Sequence, residues 1–135
     1  FYRTKLSSYS VRNGEMIKWD SSEQDSLYPT MKTDITIRKE DAVLVIDTKY
    51  YRNMFNTHYQ SPDNQKFISN NIYQLYTYIN NLKSDKRIEG MLLYPNTSHT
   101  VRNERMVSGK RMLINNINLN QDWKDIETEL ISLVG

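Results

Sequence analysis

Cysteine is absent from these 135 residues, which excludes a disulfide framework and any thiolate metal site. The two histidines, His58 and His99, sit in polar stretches without a partner at metal-ligand spacing, so both are expected to be solvated and zinc is not expected. Four glycines and three prolines leave little room for linkers. No apolar run approaches the roughly 20 residues a membrane span needs, and Phe1 begins the chain without a signal-peptide pattern. A soluble, cytoplasmic protein with no membrane partner is therefore expected. The length suits one domain over residues 1–135, and the missing initiator Met suggests that this domain is the C-terminal part of a longer chain.

With thiolates and imidazoles set aside, any metal must be held by carboxylates, which points to a hard cation such as magnesium. The formal net charge is only +2 and says little about a polyanionic partner. Local distribution says more: cations gather at Lys83, Lys86 and Arg87, and again at Arg102, Arg105, Lys110 and Arg111.

The pattern along the chain alternates between the two structural periods. Asn13-Gly14 suggests a hairpin or strand entry, with Met16, Ile17 and Trp19 as strand residues. Asp34 to Arg38, the charged tetrad Lys39 to Ala42 and the β-branched run from Val43 to Asp47 form the strongest signal, a β-hairpin. After a loop through Ser61-Pro62-Asp63, a helix is expected over 66–82, where Ile68, Ile72, Leu75, Ile79 and Leu82 make a sheet-facing stripe. Gly90 to Tyr94 reads as a buried strand closed by Pro95. Arg102–Val107 and Arg111–Leu119 form two further strands around Ser108-Gly109. Trp123, Ile126, Leu130 and Val134 mark a final amphipathic helix. The sum is an α/β sandwich with a mixed β-sheet flanked by helices, the helix at 66–82 crossing over between strands.

Hairpin geometry draws two carboxylates together. If Lys39 to Ala42 closes the turn, Arg38 faces Val43, Thr36 faces Val45 and Asp34 faces Asp47, with opposed Cβ atoms about 4.5–5.5 Å apart. Lys49, two residues past Asp47, falls on the same face. Like charges so close are destabilising unless something positive lies between them. A divalent cation between Asp34 and Asp47, completed by the Thr48 carbonyl and water, would offset that repulsion, and Lys49 would engage a phosphate or an attacking water. Ordinary strand-edge acids paired with Lys32, Arg38 or Lys49 would give the same spacing, since Asp-x-Lys is common.

Four segments in order, Met31-Lys32-Thr33-Asp34-Ile35, Ile46-Asp47-Thr48-Lys49-Tyr50-Tyr51, Ile72-Tyr73-Gln74-Leu75-Tyr76-Thr77-Tyr78 and Gly90-Met91-Leu92-Leu93-Tyr94-Pro95, resemble the nuclease domain of the McrC family, the cleaving subunit of McrBC-type modification-dependent restriction systems. The resemblance runs from Tyr28 to Pro95. It implies a restriction-endonuclease-like fold of the PD-(D/E)xK superfamily and a magnesium-dependent DNA endonuclease, with manganese as a substitute ion. It assigns Asp34 as the first acid, Asp47-Thr48-Lys49 as the acid-x-lysine element and Gln74 as the helix glutamine at the site rim. It also implies double-stranded DNA as substrate, an AAA+ GTPase of the McrB type as partner, and pairing of two nuclease domains to cut both strands. Departures are visible: Asp47 replaces the more frequent Glu at the second acid, which the family tolerates; Pro29 lies five residues before Asp34, so the Pro-Asp pair is missing; and the upstream acid common in the superfamily, which neither Glu15 nor Glu23 matches, is expected to lie upstream of this sequence or to be missing.

From pattern alone, Gln74 is a flank residue roughly 120° from the apolar stripe, beside Asn70 and Tyr78. Tyr73, Tyr76 and Tyr78 are expected to be packing residues with wet hydroxyls rather than a base-stacking platform. Of Tyr50 and Tyr51, one is expected in the core and the other along the DNA groove. Two rivals stand beside the restriction reading: a repair or junction nuclease of the same superfamily, and a catalytically silent DNA-binding or assembly module.

Overall fold

A computed structural model describes residues 2, 9–19, 28, 30–49, 67, 69–96 and 100–135. The 43–47 run Val-Leu-Val-Ile-Asp is buried on both faces, which requires cover above and below. That strand, β5 (Ala42–Thr48), lies inside a six-stranded mixed sheet. Its companions are β1 (Ser10–Asn13), β4 (Ile35–Arg38), β6 (Arg87–Asn96), β7 (Arg102–Val107) and β8 (Lys110–Asn118), in the spatial order β1-β4-β5-β6-β8-β7. β5, β6 and β8 run parallel, while β1, β4 and β7 are antiparallel to their neighbours. β2 (Met16–Ile17) and β3 (Met31–Lys32) form a small separate pair.

Parallel strands need a long crossover. Helix α1 (Ser69–Asn81) supplies it between β5 and β6, and α2 (Trp123–Val134) follows β8. Alternation along β5 divides the core between them. Val45 joins Leu75, Tyr78, Ile79 and Leu92 beneath α1. Leu44 and Ile46 join Met91, Leu113, Ile117 and Val134 on the α2 side. The apolar stripe of α1 is as expected: Leu75 and Ile79 are buried, and Ile72 and Leu82 pack at its edges. Gly90 lets the helix approach, because a Cβ there would stand 2.8 Å from Ile79 Cγ2 and 2.9 Å from Leu75 Cδ1. The α/β sandwich with a mixed sheet is thus the observed architecture.

The hairpin register is as expected: Arg38 pairs with Val43, Thr36 with Val45, and the ladder ends at Ile35 with Ile46. Other expectations need correction. β6 starts at Arg87 and continues through Pro95, which pairs with Ile117. Proline is tolerated because the β5 ladder stops at Thr48–Leu93, so β6 has no described neighbour on that side by Pro95. Trp19 lies outside β2, and Trp123 is 67% exposed rather than part of the apolar face of α2.

Asn13-Gly14 does not turn a hairpin. Ser10 pairs with Arg38 and Met16 with Lys32, six steps along each strand with no residue inserted. The 10–17 and 31–38 segments are therefore one antiparallel ribbon, bent where Gly14 takes a left-handed φ of 65°. The bend keeps Gly14 N–H donating to Asp34 O at 3.2 Å and Thr33 N–H to Glu15 O at 2.9 Å. Ile68, the 61–63 loop and residue 66 lie outside the described residues, as do Tyr50, Tyr51, His58, His99 and Glu23. No helix among the described residues is long and apolar enough to cross a membrane.

Candidate active site

The ribbon bend places Asp34. Thr33 has left the β4–β5 ladder to pair with Glu15, so the Thr48 N–H lacks the backbone acceptor that a continued ladder would offer it. The Asp34 carboxylate takes that place: its Oδ2 accepts the Thr48 N–H at 2.8 Å and the Thr48 Oγ1 hydroxyl at 3.1 Å. Because a strand residue's N–H and C=O leave on the same edge of an antiparallel pair, the Thr48 carbonyl opens toward Asp34. Asp34 is itself exposed. With Thr48, Lys32, Asn13 and Leu130 it lines a cleft of about 580 Å³.

Asp47 is 6% exposed and lies on the α1 side of the sheet, in step with Val45. Lys49 Nζ stands 2.9 Å from Asp47 Oδ2. The approach is off the line of a hydrogen bond, so Oδ2 is buried with no hydrogen-bond donor among the described residues; the contact is ionic. Burial pushes the Asp47 carboxyl above the usual carboxylate range, the Lys49 ammonium pulls it back, and the nearby Asp34 carboxylate adds to the rise.

Gln74, off the stripe of α1, reaches this cluster. Its Oε1 accepts a 2.8 Å hydrogen bond from Lys49 Nζ, and its Nε2 donates to the Tyr78 hydroxyl at 2.9 Å. The amide is thereby held at both ends and Lys49 is pinned between a carboxylate and an amide. The structure thus joins Asp34 with Thr48, Asp47 with Lys49, and Lys49 with Gln74, while the β4–β5 ladder stops at Ile35–Ile46, one step short of the expected Asp34–Asp47 pair. Tyr78 was expected only to pack, and its hydroxyl role went unforeseen. Its four-residue spacing from Gln74 was the available signal.

The tyrosine expectation holds in part. Tyr73 and Tyr76 are 65% and 38% exposed, so of the three tyrosines Tyr78 alone packs into the core. Glu15 is engaged by Arg38 through two side-chain hydrogen bonds, one of 2.7 Å, and these hold its carboxyl below the ordinary range. The basic clusters are partly neutralised: Arg102 meets Glu129 at 2.7 Å, and Arg111 meets Glu89 at 2.9 Å and also Glu104.

Two carboxylates and a backbone carbonyl suit magnesium, which keeps several of its waters. The buried Asp47 Oδ2, which accepts no hydrogen bond among the described residues, fits a cation's demand for a ligand. Among the described residues no three or more of His, Cys, Asp and Glu converge as a metal cage, so water would have to fill most of the coordination shell.

A family model described as "McrBC 5-methylcytosine restriction system component" matches residues 5–95. The type IV methyl-directed restriction enzyme EcoKMcrBC of Escherichia coli (strain K12) is 34% identical over 139 residues, an alignment taking in 98% of this chain and 39% of that protein. The chain therefore spans about two fifths of the length of the curated relative it matches.

Proposed function

This chain belongs to the McrC family of McrBC restriction-system components, and on that premise we propose that it is the cleaving domain of a restriction complex, a magnesium-dependent DNA endonuclease of the PD-(D/E)xK type. The observation that carries the reading is the assembly of Asp34, Asp47, Lys49 and Gln74 at one end of β5, where the buried Asp47 Oδ2 has, among the described residues, the ionic contact of Lys49 and no hydrogen bond.

In this reading Asp34, Asp47 and the Thr48 carbonyl hold the ion, with manganese as an alternative. When bound, it supplies charge to polarise the phosphoryl oxygen and lower the pKa of water. Lys49 orients the attacking water or helps remove its proton, and its charge meets the charge developing on the phosphate. Gln74, fixed by Tyr78, keeps the ammonium from folding wholly onto Asp47. Exposure of Asp34 on the 580 Å³ cleft leaves that side of the site open to a DNA backbone.

Double-stranded DNA is the proposed substrate, and an AAA+ GTPase of the McrB type the proposed partner that recognises and delivers it. Two copies of the domain would meet to cut both strands. The deciding experiment follows cleavage of methylated plasmid by the intact protein with its GTPase partner during a magnesium titration, for wild type and Asp47→Ala. Metal-dependent product from wild type and none from the variant is expected; full activity in the variant would sink the assignment. Sequence-defined cutting by the protein alone, without partner or nucleotide, would remove the restriction complex and leave the nuclease.

A second reading rests on the two hydrogen bonds from Thr48 to Asp34: the carboxylate is a backbone cap and the domain a silent DNA-binding module. It predicts salt-dependent DNA affinity with no metal-dependent product.

A further inference from the structure

On the far side of α1 from Gln74, the helix and the β7–β8 hairpin enclose a cleft of about 760 Å³. Ile72, Met112 and Ile114 give its lining an aliphatic part, and Tyr73 and Tyr76, 65% and 38% exposed, line it as well. A second cleft of about 500 Å³ continues toward the opposite end of the sheet, lined by Lys83, Lys86, Arg87 and Lys110. The two meet at Ser108, which belongs to both linings.

That junction is built. Ser108 and Gly109 both have positive φ, 52° and 76°, the signature of a type I′ turn, which favours Asn or Gly over serine at its first position. The left-handed serine turns its hydroxyl to Tyr76, with 3.1 Å between the two oxygens, and so ties the ring to the hairpin.

Charge along the groove is of one sign. Among the described residues, Arg105 and the four cations of the second cleft line it, and no carboxylate does. Arg87 leans on Asp41 and Glu89 at 3.6 and 3.9 Å. Among the described residues, Arg105 and Lys110 hold neutral oxygens, the Glu104 carbonyl and the Asn80 amide. Arg102 and Arg111, on the same two strands but outside both linings, are the ones matched by acids. Exposed aromatic rings beside aliphatic side chains, continuing into a run of cations with no carboxylate in the lining, are the parts that bind an unpaired polynucleotide: bases stack while phosphates follow the charge.

We infer that the groove between α1 and the β7–β8 hairpin binds single-stranded DNA, bases against Tyr73 and Tyr76 and backbone toward Arg105 and Lys110. This rests on the reading of the domain as one that acts on DNA. It adds a second strand track, separated from Asp47 and Lys49 by the thickness of α1.

The test measures binding of a labelled oligonucleotide, single-stranded or duplex, to the intact protein in chelator, so that no cleavage intervenes. Tyr73→Ala should weaken single-strand binding about tenfold and leave duplex binding unchanged. Arg105→Ala should lower the salt slope by about 0.7, while Lys124→Ala, on α2, changes neither. Melting temperatures equal to wild type would show that the exposed substitutions leave the fold intact. Wild-type affinity in both groove variants, equal loss on duplex and single strand in Tyr73→Ala, or no single-strand binding by wild type would each overturn the groove. Cleavage is scored separately with Asp47→Asn. A nuclease that loses activity there while the groove variants bind normally keeps its function and loses the groove. Groove-dependent binding without any metal-dependent product has the opposite meaning.

Discussion

Asp47 and Glu89 are both strand carboxylates, 6% and 2% exposed, yet the two ends of the sheet treat them differently. Glu89 lies opposite Leu44, near the start of β5, and accepts a 2.9 Å hydrogen bond from Arg111, with Arg87 at 3.9 Å. Arg111 in turn holds Glu104, and the two acids keep its guanidinium more firmly protonated than usual. Asp47, opposite Leu92 near the end of β5, has one ammonium at a poor angle and a like charge beside it. A carboxylate matched by arginine on every side serves the fold. One left partly unmatched in a low-dielectric setting retains affinity for a cation.

Exchanging the two acids for neutral groups breaks that comparison most directly. Asp47→Ala should lower cleavage by at least about a hundredfold with little change in melting temperature. Comparable activity would equate the two ends. Glu89→Gln should do the reverse, costing about 2 kcal/mol in chemical denaturation because Arg111 loses a charged acceptor in a buried position, while cleavage by the folded protein persists. An activity loss larger than the loss of folded fraction would contradict it.

Gly90 links the two ends, because α1 rests on it and carries Gln74. Gly90→Ala, which inserts a methyl into occupied space, should cost about 1–3 kcal/mol and lower cleavage further by shifting Gln74 from Lys49. An unchanged melting temperature would mean that the helix yields freely. Gln74→Ala should reduce cleavage by about tenfold, less than Asp47→Ala, since Lys49 keeps its ionic partner. A larger loss than that of Asp47→Ala would invert the roles.

The smallest effect concerns pH. The folded-state pKa of Asp47 lies above its ordinary value of 3.8, so without metal this group contributes stability that is fully present below 3.8 and lost as pH rises through the raised value. Metal-free wild type should therefore lose stability relative to Asp47→Asn across that window. Magnesium should narrow the gap above it by favouring the charged carboxylate. A gap independent of both pH and metal would show that Asp47 is already satisfied.

Much of this was legible in the sequence because strand and helix periods are rigid rules. The Lys39 to Ala42 turn fixed the facing of Arg38 on Val43, and from there Asp47 and Lys49 shared a face. The α1 stripe was equally plain. Contacts depending on the third dimension were not. Gln74 reads as a flank residue on a helical wheel, and only the seating of α1 on Gly90 brings it to Lys49. The acids that neutralise Arg102 and Arg111 are far in sequence or across a strand, so the basic cluster looked freer than it is. Tyr73 and Tyr76 read as packing residues on helical spacing, which shows that a face repeats, not whether anything covers it. Likewise Asn71, buried and donating to the Tyr94 hydroxyl at 2.8 Å, gives no sign of burial in a polar stretch.

The bent ribbon of residues 10–17 and 31–38 carries a consequence for how the domain tolerates change. One register runs through both the large sheet and the small β2–β3 pair, so a residue gained or lost at the bend slips one pairing against the other. A change of length in the chain between the arms leaves that register untouched, whereas one at the bend breaks it at the place where Asp34 is held.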